Sequence, residues 1–125
     1  MPFALQPWLS VRDSKSALEF YREAFRAETT YLLEAGTDSV IARLSVNGAE
    51  FWIADESPSF GNYSPASLGG STTRMILIVA DPEAIMAQAI RAGATEVFPV
   101  GIAHGWKTGR IADPFGHHWE IGHMV

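Results

Sequence analysis

One stretch of this chain is repeated by another, and that repeat constrains the fold more than any other feature. Val11 and Asp13 ahead of one helical run are answered by Val79 and Asp81 ahead of a second, and Ala27-Glu28 after the first run is answered by Ala94-Thr95 after the second. A shift of 68 positions lays one strand-helix start on the other, in a chain of 125 residues. Neither half has enough chain to cover a sheet face alone, so the two halves must pack together, as two sheets that curl toward each other around a space. The alternative is an ordinary α+β sandwich in which the likeness of the halves is coincidental.

Local pattern supports a β-α-β-β-β order in each half. Residues 3–11 alternate as a strand, with Leu5, Leu9 and Val11 on one face and Gln6, Trp8 and Ser10 on the other. Asp13 offers an N-cap, Ser16 and Glu19 have capping-box spacing, and Leu18, Tyr21, Ala24 and Phe25 recur at helical intervals. Strands follow at 28–34, 40–46 and 49–54, the last two joined by Asn47-Gly48, a pair that tolerates the positive φ of a type I′ turn. Residues 57–71 turn to Ser, Pro and Gly with Phe60, Tyr63 and Leu68 interspersed. They read as a linker that packs on something. The second half then gives a strand at 72–80 and a helix from Asp81-Pro82-Glu83 to Gly93. Strands at 95–102, 107–112 and 117–124 follow, with Asp113-Pro114-Phe115-Gly116 as a turn. The modules are thus 1–56 and 72–125 of one domain, 1–125.

Composition removes several classes of function. The net charge of -5 gives no field to gather phosphate backbones or anionic lipid, so nucleic acid and membrane are not expected partners. No cysteine is present, which excludes disulfides, thiolate nucleophiles and Cys-based metal sites. The N-terminal residues lack a basic region followed by a long apolar stretch, so a cytoplasmic location is the expectation.

The paired β-α-β-β-β order, the Val11-Arg12-Asp13 and Ala17-Leu18-Glu19-Phe20-Tyr21 stretches, and the closing run from Gly109 through Asp113-Pro114-Phe115-Gly116-His117-His118-Trp119-Glu120-Ile121 together resemble the vicinal oxygen chelate superfamily. That group holds glyoxalase I, bleomycin-resistance proteins, fosfomycin-resistance transferases and extradiol dioxygenases, and the likeness is nearest to its PhnB-like branch. The resemblance implies a homodimer with a site on the curled sheets. It also implies metal ligands from the first and last strands of each module. Carried over by position, these fall on Gln6, on Arg74, on Glu120, and on either Glu50 or Trp52.

Arg74 does not suit a metal. A guanidinium has only donors and keeps its charge, so it cannot ligate. About 4 Å from a dication, at an effective dielectric of about 20, it would be repelled by roughly 8 kcal/mol. Arg74 can instead take the cation's place and receive a carboxylate or phosphonate in a two-pronged contact, held by Glu120. A plain structural ion pair between Arg74 and Glu120 is the competing reading. If a divalent metal is nonetheless bound, Gln6, Glu50, His118 and Glu120 are its candidate ligands. His104 lies in a 103–106 loop where members of the superfamily cover their site; a surface loop is the plainer reading. Trp8, Trp52 and Trp106 are candidates to stack on a ligand, although each could equally be core, and Trp119 alternates toward the helices.

Two functions follow from these residues. The first is a binding protein of the bleomycin-resistance type that holds a small planar or anionic molecule without chemistry and without a cofactor. The second is a divalent-metal-dependent lyase, isomerase, transferase or dioxygenase acting on a vicinal-oxygen substrate. A structural or regulatory module with a vestigial pocket is a third.

Overall fold

The computed structural model describes residues 1–125. Its elements run β1 (Trp8–Val11), α1 (Ser14–Phe25), β2 (Glu28–Glu34), β3 (Val40–Val46), β4 (Ala49–Asp55), α2 (Pro65–Leu68), β5 (Arg74–Ile78), α3 (Pro82–Ala92), β6 (Thr95–Ala103), β7 (Trp106–Ala112) and β8 (His118–Met124). The two β-α-β-β-β modules expected from the repeat are present. Each forms one mixed four-stranded sheet, ordered β1-β4-β3-β2 and β5-β8-β7-β6. In each, the first and last strands are parallel neighbours and the remaining pairs are antiparallel.

The helix starts are set by their caps. Asp13 Oδ1 accepts from Ser16 N at 3.1 Å, and Asp81 Oδ1 accepts from Ala84 N at 3.1 Å. Such a cap contributes about 1 kcal/mol. The Ser16 hydroxyl and backbone hold the Asp13 carboxyl below its ordinary pKa. The Ser16/Glu19 capping box does not form, because Asp13 is the N-cap and Ser16 lies inside α1, where its hydroxyl donates back to Asp13 Oδ2 at 2.7 Å. At its other end α3 stops on Gly93, whereas α1 stops on Arg26 at φ 54, a left-handed backbone that costs an L-residue about 1–2 kcal/mol.

The first sheet buries Val11, Leu44 and Ile53 completely and the second buries Ile111 and Ile121. These two faces look at each other across the helices. Trp119 of β8 packs on Phe25 of α1 with ring centroids 4.9 Å apart and on Phe51 of β4 at 5.2 Å. Helices α1 and α3 and a single apolar core therefore occupy the space between the sheets, and the opposite face of each sheet points outward. A buried carboxylate pins the modules together: Asp113 accepts from Tyr21 Oη of α1, from Trp119 Nε1 at 3.0 Å, and from the backbone N–H of Phe115 and of His117, each at 3.0 Å. Burial first, and the facing carboxylate second, push the Tyr21 phenol well above its ordinary pKa, so it remains a donor.

Two expectations need correction. Residues 3–7 are not strand: β1 begins at Trp8, and Leu5, expected to pack, is 97% exposed, as are Met1 and Phe3 in full. Alternation showed which way these side chains would face but not whether a neighbouring strand exists, and Pro7 has no N–H to continue a ladder. The 103–106 loop is instead a two-residue turn, His104-Gly105, at φ 53 and 82, matching Asn47-Gly48 at φ 50 and 92. Trp106 is accordingly the first residue of β7 rather than part of a cover. Residues 57–71 hold a 3₁₀ turn at Pro58–Phe60 and then α2, whose N-cap Ser64 is fully buried. The Glu56 carboxylate secures that segment by accepting from Ser64 N at 3.0 Å and Ser67 Oγ at 2.9 Å.

Candidate functional site

The outward faces of the two sheets carry matching rows of side chains. On the first sheet, strand register places Trp8 beside Trp52, Trp52 beside Arg43, and Arg43 beside Tyr31. On the second it places Ile76 beside Glu120, Glu120 beside Arg110, and Arg110 beside Phe98. Each row thus runs from an edge aromatic through an arginine to the parallel strand pair. The alternation of β-strands puts each row on one face, away from the buried residues between them.

The first row is an aromatic platform. The Trp8 and Trp52 rings stack at 5.8 Å with 19° between planes, Tyr31 lies 5.6 Å from Trp52, and the Arg43 guanidinium sits 5.4 Å from the centre of the Trp52 ring. Gln6 fixes the indole: Trp52 Nε1 donates to Gln6 Oε1 at 2.8 Å, and Gln6 Nε2 donates to Glu50 at 3.3 Å. Glu50 in turn pairs with Arg43 at 3.1 Å. With these bonds made, Trp52 is held against rotation while Trp8 remains 47% exposed. A rigid, half-exposed indole pair is a surface on which a flat molecule can lie.

The second row is charged. Glu120 lies 3.3 Å from Arg74 Nε and 3.7 Å from Arg110 Nη2, so two guanidiniums share one carboxylate. The Arg110 guanidinium also covers the Phe98 ring at 5.5 Å. His118 stands opposite Arg74 on the same strand face as Glu120, and Trp106 lies at the far end of β7 opposite Met124.

An open cleft of ≈ 600 Å³ brings some of the sequence-derived candidates together and not others. Gln6, Glu50 and Arg74 line it, with Leu5, Phe51, Met75 and Trp119. Trp8, Trp52 and Trp106 do not, and Glu120 is joined to this set only through its pair with Arg74. Sequence reasoning missed Tyr31, Arg43, Phe98 and Arg110.

Register also settles which residue answers Glu120. Trp8 is opposite Trp52 as Ile76 is opposite Glu120, so Trp52 is the counterpart of Glu120 and Glu50 is the counterpart of His118. The four equivalent positions are therefore Gln6, Trp52, Arg74 and Glu120. An indole and a guanidinium have no lone pair to give, and Glu120 is already engaged by two cations. No group of three or more His, Cys, Asp or Glu side chains is close enough to hold a metal ion. This donor set does not fit a divalent cation.

No family model matches this sequence. The uncharacterized protein Mb0911c of Mycobacterium bovis is 37% identical over 127 residues, covering 98% of this chain and 84% of that protein. The X-ray structure of the At5g48480 gene product of Arabidopsis thaliana matches with a TM-score of 0.74 at 28% identity, over 98% of this chain and 100% of that one. A member of the glyoxalase/bleomycin resistance protein/dioxygenase superfamily from Sphaerobacter thermophilus matches with a TM-score of 0.74 at 20% identity, over 98% of this chain and 97% of that one. This chain has the fold of the glyoxalase/bleomycin resistance/dioxygenase superfamily, and at 37% identity it belongs to the same family as Mb0911c. No helix in the chain is long and apolar enough to cross a membrane.

Proposed function

We propose that this chain is a metal-free binding protein for a small, flat organic molecule, of the bleomycin-resistance type, acting as a cytoplasmic homodimer. The observation that carries the reading is the fixed indole pair Trp8 and Trp52, with Tyr31 and Arg43 completing a platform on which Trp8 and Tyr31 stay about half exposed. Gln6 positions that platform rather than ligating an ion.

A second copy supplies the opposite wall. Both outward faces leave large apolar side chains exposed, Trp8, Tyr31 and Leu33 on one sheet and Ile76, Ile78 and Phe98 on the other. A twofold arrangement that lays the first sheet of one copy over the second sheet of the other would close two equivalent cavities, each with an aromatic floor and a charged roof. The exposed Phe3 and Leu5 extend from the edge of β1 and are available to pack against the partner.

Titration with anilinonaphthalene sulfonate, a flat aromatic anion whose fluorescence reports its binding, tests the reading. Trp52→Ala should weaken binding about tenfold or more, the loss of roughly 1.4 kcal/mol of stacking and burial, while Trp52→Phe keeps most of it. Unchanged dye affinity in a Trp52→Ala protein with wild-type circular dichroism would refute the platform.

A further inference from the structure

The arginines of the two rows occupy equivalent places but are partnered differently. Arg43 pairs with Glu50 at 3.1 Å, and no second guanidinium contacts that carboxylate. On the other sheet the position equivalent to Glu50 is His118, and Arg110 must share Glu120 with Arg74. Two cations against one anion leave a surplus charge of one on this face. Arg110 Nε, moreover, is buried without any hydrogen-bond acceptor, which native structures rarely leave in place for a charged donor. The surroundings are apolar, with Phe98 under the guanidinium and Ile76 next along the row. Once a second copy covers this face, an incoming oxyanion would meet these donors with little competition from water.

We propose that Arg110 and Arg74 together form a seat for a single carboxylate carried by an aromatic ligand, with Arg110 as the residue that sets the preference for an acid over its neutral analogue. One surplus positive charge matches a monoanion and leaves a doubly charged group uncompensated. Phe98 and Ile76 provide the apolar surface beside which the ligand's ring lies. Glu120 keeps the two guanidiniums apart from each other and aimed at the open face. This inference rests on the small-molecule-binding reading above and names the chemical class that the charged row selects.

Naphthoate and the neutral naphthamide share a ring and differ in charge, so their affinities separate the two claims. For the wild-type protein, naphthoate should bind about tenfold or more tighter than naphthamide. Arg110→Gln, which keeps most of the stem over Phe98, and Arg110→Ala should both abolish that preference by weakening naphthoate, leaving naphthamide affinity and thermal stability close to wild type. Arg110→Lys should retain part of it, since the charge remains and the forked geometry is lost. If naphthoate keeps its advantage in both Arg110→Gln and Arg110→Ala, the seat is refuted while the binding reading stands. If neither compound binds the wild-type protein, both are overturned.

Discussion

Asp113→Ala should cost this protein about 4 kcal/mol of stability, a large share of the roughly 5–15 kcal/mol that holds a domain of this size folded. The carboxylate is 4% exposed and accepts from two side chains of different modules, Tyr21 and Trp119, while also closing the turn before β8 through Phe115 N and His117 N. Truncation strands a buried phenol and a buried indole N–H, each at about 1–3 kcal/mol, and releases the turn. Asp113→Asn should fall between wild type and Asp113→Ala, because its single carbonyl can keep the turn while losing the pair at Oδ2. Tyr21→Phe should cost less again, near 1–2 kcal/mol, since it removes a donor and leaves three others on the carboxylate. Urea unfolding of the three variants gives the order directly. Equal stability of Asp113→Ala and Tyr21→Phe would show that the network is not what joins the modules.

Gly122→Ala should be at least as damaging, about 3 kcal/mol or more, for a steric reason. A Cβ on Gly122 would lie 2.0 Å from the carbonyl oxygen of Lys107 and 2.7 Å from Thr108 Cα. Both are backbone atoms of the neighbouring strand, so β7 would have to move rather than a side chain swing aside. Arg110 rides on that strand, and the same substitution should weaken naphthoate binding in whatever fraction remains folded. Gly101→Ala is the control: nothing lies within 4 Å of its added methyl and its backbone is not left-handed, so it should be close to neutral. Comparable urea midpoints for the two variants would contradict the close approach of β7 and β8.

Much of the fold is legible in the residues because local rules and tertiary packing agree along most of the chain. The strand bounds at Glu28–Glu34 and Val40–Val46, both N-cap aspartates, the Asn47-Gly48 turn and the inward direction of Trp119 all follow from period, capping and turn chemistry. What was hidden depends on neighbours that sequence does not name. Residues 3–7 alternate like a strand but find no ladder beyond Pro7. Both faces of each sheet carry large apolar groups, so period could not reveal that α1 and α3 fill the space between the sheets. Arg110 escaped because the repeat slips: Trp52 answers Glu120 at a shift of 68, but Arg43 answers Arg110 at 67. Carrying 68 through the third strand lands on Ile111, which faces the core. The longer turn at Asp113–Gly116, against Asn47-Gly48, absorbs the difference and was visible as a signal.

In the proposed dimer a ligand lies between the aromatic row of one copy and the arginine row of another. Subunit mixing tests it most directly. Chains bearing Trp52→Ala and chains bearing Arg110→Ala, each binding naphthoate weakly alone, are unfolded together in equal amounts, refolded and titrated. If the cavity is shared between copies, the mixed dimers contain one wild-type cavity apiece, and about a quarter of all sites should regain wild-type affinity. If both rows serve a site within one chain, no tight sites return, and the shared cavity is wrong.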